Sequence, residues 1–560
     1  MGVSDSGALR RVRRAVRRST TSTGRLSSAY RLVASVALGS VLLAIVGAAL
    51  GPSWSPAAMT ETIRVTSTST AIGGAPELGR YEVRTEVVEI ALDGVTVQGR
   101  LSVPVGAEEP VPGVVFVHGA GTGRFTKAFL AQAHALAASG VAALVPDKRL
   151  DTYTARHREY VAMADDYARS VALMRERPEV DAARVGVYAE SEGGWIAPVM
   201  AAQDPDLAFV VLVSAPVVPP RQQAAFATDA YLRNTQVPHG VFRAIPRAVG
   251  MSMPGGGFEY VDFDVRPYQQ RMRQPLLVVY GTGDVSMPIV QGAVQIRSDA
   301  AVAGNDAVTV RYYDGASHGI RVDGEVSPAF LEDLPGWVLG LPATADAEPR
   351  AAGAQPTQPY LAAPVPEPGW LRDGTVMIAL VVIALAALVL AGLAVVASHG
   401  AHGAASLVRR TGRRAAPPAG DGRDAPDPGR EPEAAGDAVE AVGTRNRYAP
   451  GVALRLVVLA VTTTLTVAAM AWYLLSVARL ALDYERNSWV VQGGWLVVRL
   501  LGVAAVVAAV ALARRSTAVR EADVPVAPGV VRGVALWTVV VGCAVLLVVL
   551  AYWGVFQLGI

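Results

Sequence analysis

Three residues with the chemistry of acyl transfer follow one another at the ends of short apolar runs. Ser191 lies in Val185-Gly186-Val187-Tyr188-Ala189-Glu190-Ser191-Glu192-Gly193-Gly194-Trp195, where a β-branched run enters a small-x-Ser-x-Gly turn. Residues 195–202 can continue as a helix. Strand, tight turn and helix is the context that lifts a serine hydroxyl to the carboxyl end of a strand. A serine hydroxyl is a weak nucleophile at its own pKa, so it needs a base, and the base needs an orienting acid. His318 closes Asp314-Gly315-Ala316-Ser317-His318-Gly319, just after an apolar run, and Asp284 closes Gly281-Thr282-Gly283-Asp284, just after another. Asp314 and Asp264 compete with Asp284 for the role of acid. The competing reading of Ser191 is a turn serine, and that of His318 a surface loop histidine.

A fourth stretch completes the set. Val114-Val115-Phe116-Val117-His118-Gly119-Ala120-Gly121 runs from a strand into a His-Gly-x-Gly loop. The backbone N–H groups of Ala120 and Glu192 are the candidate oxyanion donors, and donors of this kind contribute strongly to the rate of acyl transfer. His118 itself reads as structural. Glu190 and Glu192 are expected to line the rim or to pair with a nearby arginine, and Asp147, Lys148 and Arg149 to form a structural charge cluster below the site.

These pieces need a scaffold. Residues 81–91 and 95–103 read as an antiparallel pair joined at Asp93-Gly94. Further strands are expected at 111–117, 141–145, 184–189, 208–213, 275–280 and 307–313, with helices at 127–139 and 153–177. Strands separated by helices imply a mainly parallel sheet. Residues 216–270 form an insertion with a helix near 221–234, a candidate lid over the site.

The hydrolytic pieces resemble those of the α/β-hydrolase superfamily, near its esterase, dienelactone-hydrolase and serine-aminopeptidase branches. His118-Gly119-Ala120-Gly121, Asp147-Lys148-Arg149, Ala189-Glu190-Ser191-Glu192-Gly193-Gly194, Gly281-Thr282-Gly283-Asp284 and Ser317-His318-Gly319 carry the resemblance, together with the Ser…Asp…His order. Two departures stand out: Ala189 replaces the usual glycine, and Leu150-Asp151-Thr152-Tyr153 replaces the small-residue loop after Asp-Lys-Arg. The resemblance implies an α/β fold with an eight-stranded, mostly parallel sheet whose second strand is antiparallel. It implies Ser191 as nucleophile, His318 as base and Asp284 as acid. It covers under half the chain.

The rest of the chain is apolar or irregular. Of 560 residues, 52% are hydrophobic, and the mean hydropathy of +0.33 is high enough to require a search for membrane spans. Five stretches are long enough to cross a bilayer: 32–51, 374–398, 456–478, 489–513 and 533–553. The first reads as an uncleaved anchor behind a basic segment at 1–31. Residues 52–80 read as an irregular lead-in, 81–342 as the hydrolase domain, 343–373 as a linker and 399–450 as a disordered cytoplasmic linker. Arg409-Arg410, Arg413-Arg414 and Arg514-Arg515 lie in alternate loops, which with the N-terminal arginines puts 52–373 outside the cytoplasm. Arg499 is expected to snorkel to the headgroups.

A net charge of +2 argues against nucleic acid as a partner. Cys543 is the single cysteine, so no disulfide framework forms. His399 and His402 make a poor metal site, and neither metal nor organic cofactor is implied. The expected function is a membrane-anchored serine hydrolase acting outside the cytoplasm, which cleaves an ester, a thioester or a peptide-like amide of a small-molecule or lipid acyl substrate through an acyl-Ser191. The rival expectations are an acyltransferase of envelope lipids, a hydrolase-like binding or scaffold domain without turnover, and an accessory domain of a transporter.

Overall fold

In the computed structural model, the described residues are 29–253, 255–414, 447–482 and 485–557, with backbone alone for 400–414 and 482. They divide into two compact units. One holds Trp54–Asn234 and Ala248–Glu367; the other holds the apolar helices together with Thr235–Arg247.

The first unit is built on β1 (Glu82–Ala91), β2 (Thr96–Val105), β3 (Val111–Val117), β4 (Ala142–Pro146), β5 (Val180–Glu190), β6 (Val210–Val213), β7 (Leu276–Gly281) and β8 (Val308–Tyr313). A small hairpin, β9 (Arg321–Val322) with β10 (Glu325–Val326), stands apart, and β11 (Ala351–Gly353) follows. The main sheet runs β1-β2-β4-β3-β5-β6-β7-β8-β11. β2 is antiparallel to both its neighbours, and the remaining pairs are parallel. This is the α/β-hydrolase fold.

Residues along each central strand alternate between two cores, as the two-residue period of a strand requires. Val115 and Val117 of β3, Val210 and Leu212 of β6, and Leu276 and Val278 of β7 face one core. Val114, Phe116, Val211, Val213, Leu277 and Val279 face the other. Helices Tyr160–Arg175, Gly193–Gln203 and Ile289–Val302 cover the first face, and Leu130–Ser139 and Pro328–Leu339 cover the second. Burial on both sides explains why these strands read as continuous apolar runs.

Two segments differ from the sequence expectation. The helix expected over 153–177 begins only at Tyr160, and 153–159 is a non-helical turn. The linker expected at 343–373 carries β11, which pairs in parallel with β8 and gives the sheet nine strands in place of eight. The lead-in joins it there, since Thr66 N–H donates to the Ala351 carbonyl and Gly353 N–H to the Ser67 carbonyl. An open edge at β8 would leave backbone groups unpaired; β11 pairs with it, and the polar lead-in covers β11 in turn.

The second unit contains five helices long and apolar enough to cross a membrane: Ala29–Leu50, Gly374–His399, Val452–Ala481, Trp489–Glu521 and Val530–Tyr552. Each runs a few residues past the bounds drawn from the sequence at one end or both. The second extends to Arg414, into the stretch expected to be disordered; of that stretch, 415–446 lie outside the described residues, as do residues 1–28 of the basic N-terminal segment. The third span packs along the fourth, and the second along the fifth. Ala29–Leu50 packs as a member of the bundle: Gly39 lies against Val506, and a methyl group at Gly47 would overlap the Ala551 carbonyl. Arg247, fully buried, donates from Nη2 to the Gly47 and Gly51 carbonyls at 3.0 and 3.4 Å and stacks on Tyr552. Free carbonyls at a helix C-terminus attract a cation, and Arg247 supplies it. The insertion expected to form a lid is thus divided. Its helix Pro220–Asn234 belongs to the hydrolase unit, while Thr235–Arg247 belongs with the apolar helices. Arg499 donates to the Gln557 carbonyl at 2.6 Å, so its guanidinium is used within the protein.

Candidate active site

Ser191 follows β5 and precedes the helix Gly193–Gln203. Its φ is +56°, in the left-handed region that non-glycine residues rarely adopt. The surroundings hold it there: Ser191 N–H donates to the Val213 carbonyl of β6 at 3.0 Å, and Gly194 N–H donates to the Ser191 carbonyl at 2.8 Å. Gly193 is required by close approach, because a Cβ there would lie 2.7 Å from the Val117 carbonyl oxygen. The Ala189 methyl group, by contrast, is accommodated with no exposed surface.

Asp284 and His318 stand on the loops after β7 and β8, adjacent strands of the sheet. His318 Nδ1 lies 2.9 Å from Asp284 Oδ2. Asp284 Oδ1 accepts from the Ser286 N–H at 3.0 Å and the Ser286 hydroxyl at 2.6 Å. Burial pushes the Asp284 carboxyl up, but the hydrogen bond and charge of His318, with the Ser286 donors, hold it below the usual aspartate value. Burial likewise pulls His318 down, and Asp284, assisted by Glu190, raises it above the usual imidazole value. With Nδ1 engaged, Nε2 is the nitrogen left to exchange a proton with a hydroxyl. The two competitors are placed otherwise: Asp264 accepts from the Arg266 N–H, and Asp314 is exposed.

The loop after β3 runs beside the serine. A Cβ at Gly119 would lie 3.1 Å from Ser191 Cβ and 3.7 Å from its Oγ. His118 is fully buried, with Nε2 2.6 Å from the Pro146 carbonyl and Nδ1 3.2 Å from the Thr122 hydroxyl. Burial pushes its pKa down to about 4, so the ring is neutral near pH 7 and ties the loop to the end of β4.

Glu190 and Glu192 have different surroundings. Glu190 is half-buried, accepts from the Tyr188 hydroxyl at 3.0 Å, and lies beside Gly319, next to His318. Glu192 is buried, so its carboxylate does not line the rim. Its Oε2 accepts from Lys148 Nζ at 2.9 Å and from Tyr153 at 2.8 Å, and its Oε1 accepts from Arg158 at 2.7 Å. Arg158 is the arginine that Glu192 pairs with, while the sequence pattern had no way to bring Lys148 and Tyr153 to the same carboxylate, because the loop at 147–159 and the turn after β5 are far apart along the chain. The other two cluster residues are spent locally. Asp147 accepts from Arg124 and from the Phe125 N–H, and Arg149 pairs with Asp151. Among the described residues, no group of three or more His, Cys, Asp or Glu side chains could hold a metal ion.

Comparison with known proteins finds similarity over the hydrolase-like part of the chain. The family model described as BAAT / Acyl-CoA thioester hydrolase C terminal matches residues 166–323, which include Ser191, Asp284 and His318. Similar solved structures include a putative dienelactone hydrolase from Klebsiella pneumoniae, at 16% identity over 48% of this chain and 100% of that one, with a TM-score of 0.33. Est1E from Butyrivibrio proteoclasticus shows 16% identity over 46% and 98%, with a TM-score of 0.33. A dienelactone hydrolase from Anabaena variabilis shows 19% identity over 46% and 94%, with a TM-score of 0.30. No curated protein matches the chain. The chain has an α/β-hydrolase fold joined to five apolar, membrane-length helices.

Proposed function

We propose that this chain is a membrane-anchored serine hydrolase that cleaves an ester or thioester through an acyl-Ser191 intermediate. The observation that carries the reading is the left-handed Ser191 on the turn after β5, with the hydrogen-bonded Asp284–His318 pair on the loops after β7 and β8. In the first half-reaction the Ser191 hydroxyl attacks the acyl carbon and His318 Nε2 takes its proton. The Ala120 and Glu192 N–H groups hold the negative oxygen of the tetrahedral intermediate. The bond to the alkoxide or thiolate then breaks, and that group leaves with the proton from His318. In the second, water attacks the acyl-enzyme with His318 as base, releasing a carboxylic acid and restoring Ser191. The acyl-CoA thioesterase description of the matching family model favours including thioesters.

The alternating basic clusters support an outward-facing hydrolase unit on a membrane, with a lipid acyl group among its substrates. Labelling of membranes with a fluorophosphonate probe tests the chemistry. Wild type is expected to label, and Ser191→Ala and His318→Ala are expected not to. A folded wild-type protein that neither labels nor turns over esters and thioesters removes the reading.

A further inference from the structure

The Glu192 cluster has a chemical consequence that rests on the hydrolase reading above. Lys148 Nζ makes two hydrogen bonds inside the protein, to the Gly119 carbonyl at 2.7 Å and to Glu192 Oε2 at 2.9 Å. Both side chains are 1% exposed. The first contact acts on one peptide plane. In a trans peptide the carbonyl oxygen of one residue and the N–H of the next point in opposite directions. Holding the Gly119 carbonyl on Lys148 therefore aims the Ala120 N–H the other way. The second contact holds the side chain of Glu192, whose own N–H is the other oxyanion donor. We propose that Lys148 is a positioning residue that locks the Gly119–Ala120 peptide in the orientation an oxyanion hole needs.

A stability role accounts poorly for the pair. Desolvating two charges offsets most of their attraction, and a buried ion pair can often be replaced by apolar side chains without loss. An oxyanion donor, in contrast, acts only if it is already oriented when charge develops, and losing one costs about 10²–10³ in kcat. The loop Gly119-Ala120-Gly121 has glycines on both sides of Ala120, so its peptide planes rotate easily unless held. The other partners of Glu192 serve the same end. Tyr153 and Arg158 come from the turn at 153–159 and fix the carboxylate that Lys148 reaches.

The experiment uses the full chain in detergent, with a short-chain p-nitrophenyl ester as substrate and fluorophosphonate labelling to count reactive sites. In Lys148→Met, kcat is expected to fall about 10²–10³-fold. KM stays within about threefold, because the loss falls in the transition state. Glu192→Gln retains Lys148 on the Gly119 carbonyl, and its kcat loss is expected to stay below about tenfold. Should Lys148→Met not fold, Lys148→Met/Glu192→Gln takes its place, since it removes both charges of the buried pair while the amide oxygen at 192 still accepts from Arg158 and Tyr153; the same loss is expected of it. A folded, fully labelled variant without the Lys148 ammonium that turns over within about threefold of wild type overturns the lock. So does a Glu192→Gln loss equal to that of Lys148→Met. An inert wild type instead removes the hydrolase reading and the lock with it, so the two failures are told apart by the wild-type lane.

Discussion

Phe116, Leu212 and Val278 of the hydrolase unit have no exposed surface, whereas Leu475, Val530 and Trp489 of the helical unit are 73%, 82% and 87% exposed. Both units are rich in apolar residues, yet they use them against different surroundings. In the first, apolar side chains leave water for a shared core on either face of a sheet, which is the main source of its stability. In the second, helices of this length and apolarity would gain little in a bilayer by hiding their side chains, because lipid is as apolar as they are. Association there depends on close packing of small residues such as Gly39 and Gly47. Polar groups follow the same division. The hydrolase unit buries a charged cluster around Glu192 with multiple donors, and the helical unit uses Arg247 to satisfy helix-end carbonyls.

The contrast can be broken or sharpened by substitution. The largest effect is expected at the polar centre of the hydrolase unit. Asp284→Asn is expected to lower kcat by about 10⁴-fold, because the amide no longer enforces the required imidazole tautomer. It also removes the carboxylate that raises the His318 pKa. The base works when neutral, so the acid limb of the kcat/KM profile is expected to move to lower pH. A limb that stays in place would show that Asp284 does not govern His318.

In the helical unit, Gly47→Leu is expected to drive the Ala551 backbone away and destabilise the bundle by about 1–3 kcal/mol. Thermal unfolding in detergent reads this, and turnover per folded molecule is expected to stay at the wild-type level. Equal loss of both would show that the two units are coupled.

A paired truncation gives the smallest effect on one side and a moderate one on the other. Leu212→Ala, in β6, is expected to cost about 2–5 kcal/mol. Leu475→Ala, on an exposed helix face, is expected to cost less than about 0.5 kcal/mol in detergent or bilayer. Similar costs at the two positions would contradict the assignment of that face to lipid.

Much of the sheet is legible because its signal is local. The run Val111–Val117 is apolar throughout, and the structure makes all of it a buried strand. The turn at 153–159 reads as helix from sequence, since its polar and apolar residues fit a helical period as well. Its conformation is decided by a distant partner, with Tyr153 and Arg158 drawn to Glu192. β11 reads as linker for a similar reason. Ala351-Ala352-Gly353 has no strand signal of its own and becomes a strand only because β8 offers an unpaired edge.

Sequence alone determined the order of the chemistry-bearing residues, the βα alternation that places them at strand ends, and the five apolar segments. Those features depend on residue type and short-range period, which a chain carries without being folded. Only the tertiary structure decided that Asp284 meets His318 while Asp314 stays in solvent, that Lys148 reaches both Gly119 and Glu192, and that Arg247 caps the first apolar helix. Each of these joins residues 29 to 200 positions apart. Contacts of that range are set by how the strands and helices pack, and no local pattern records them.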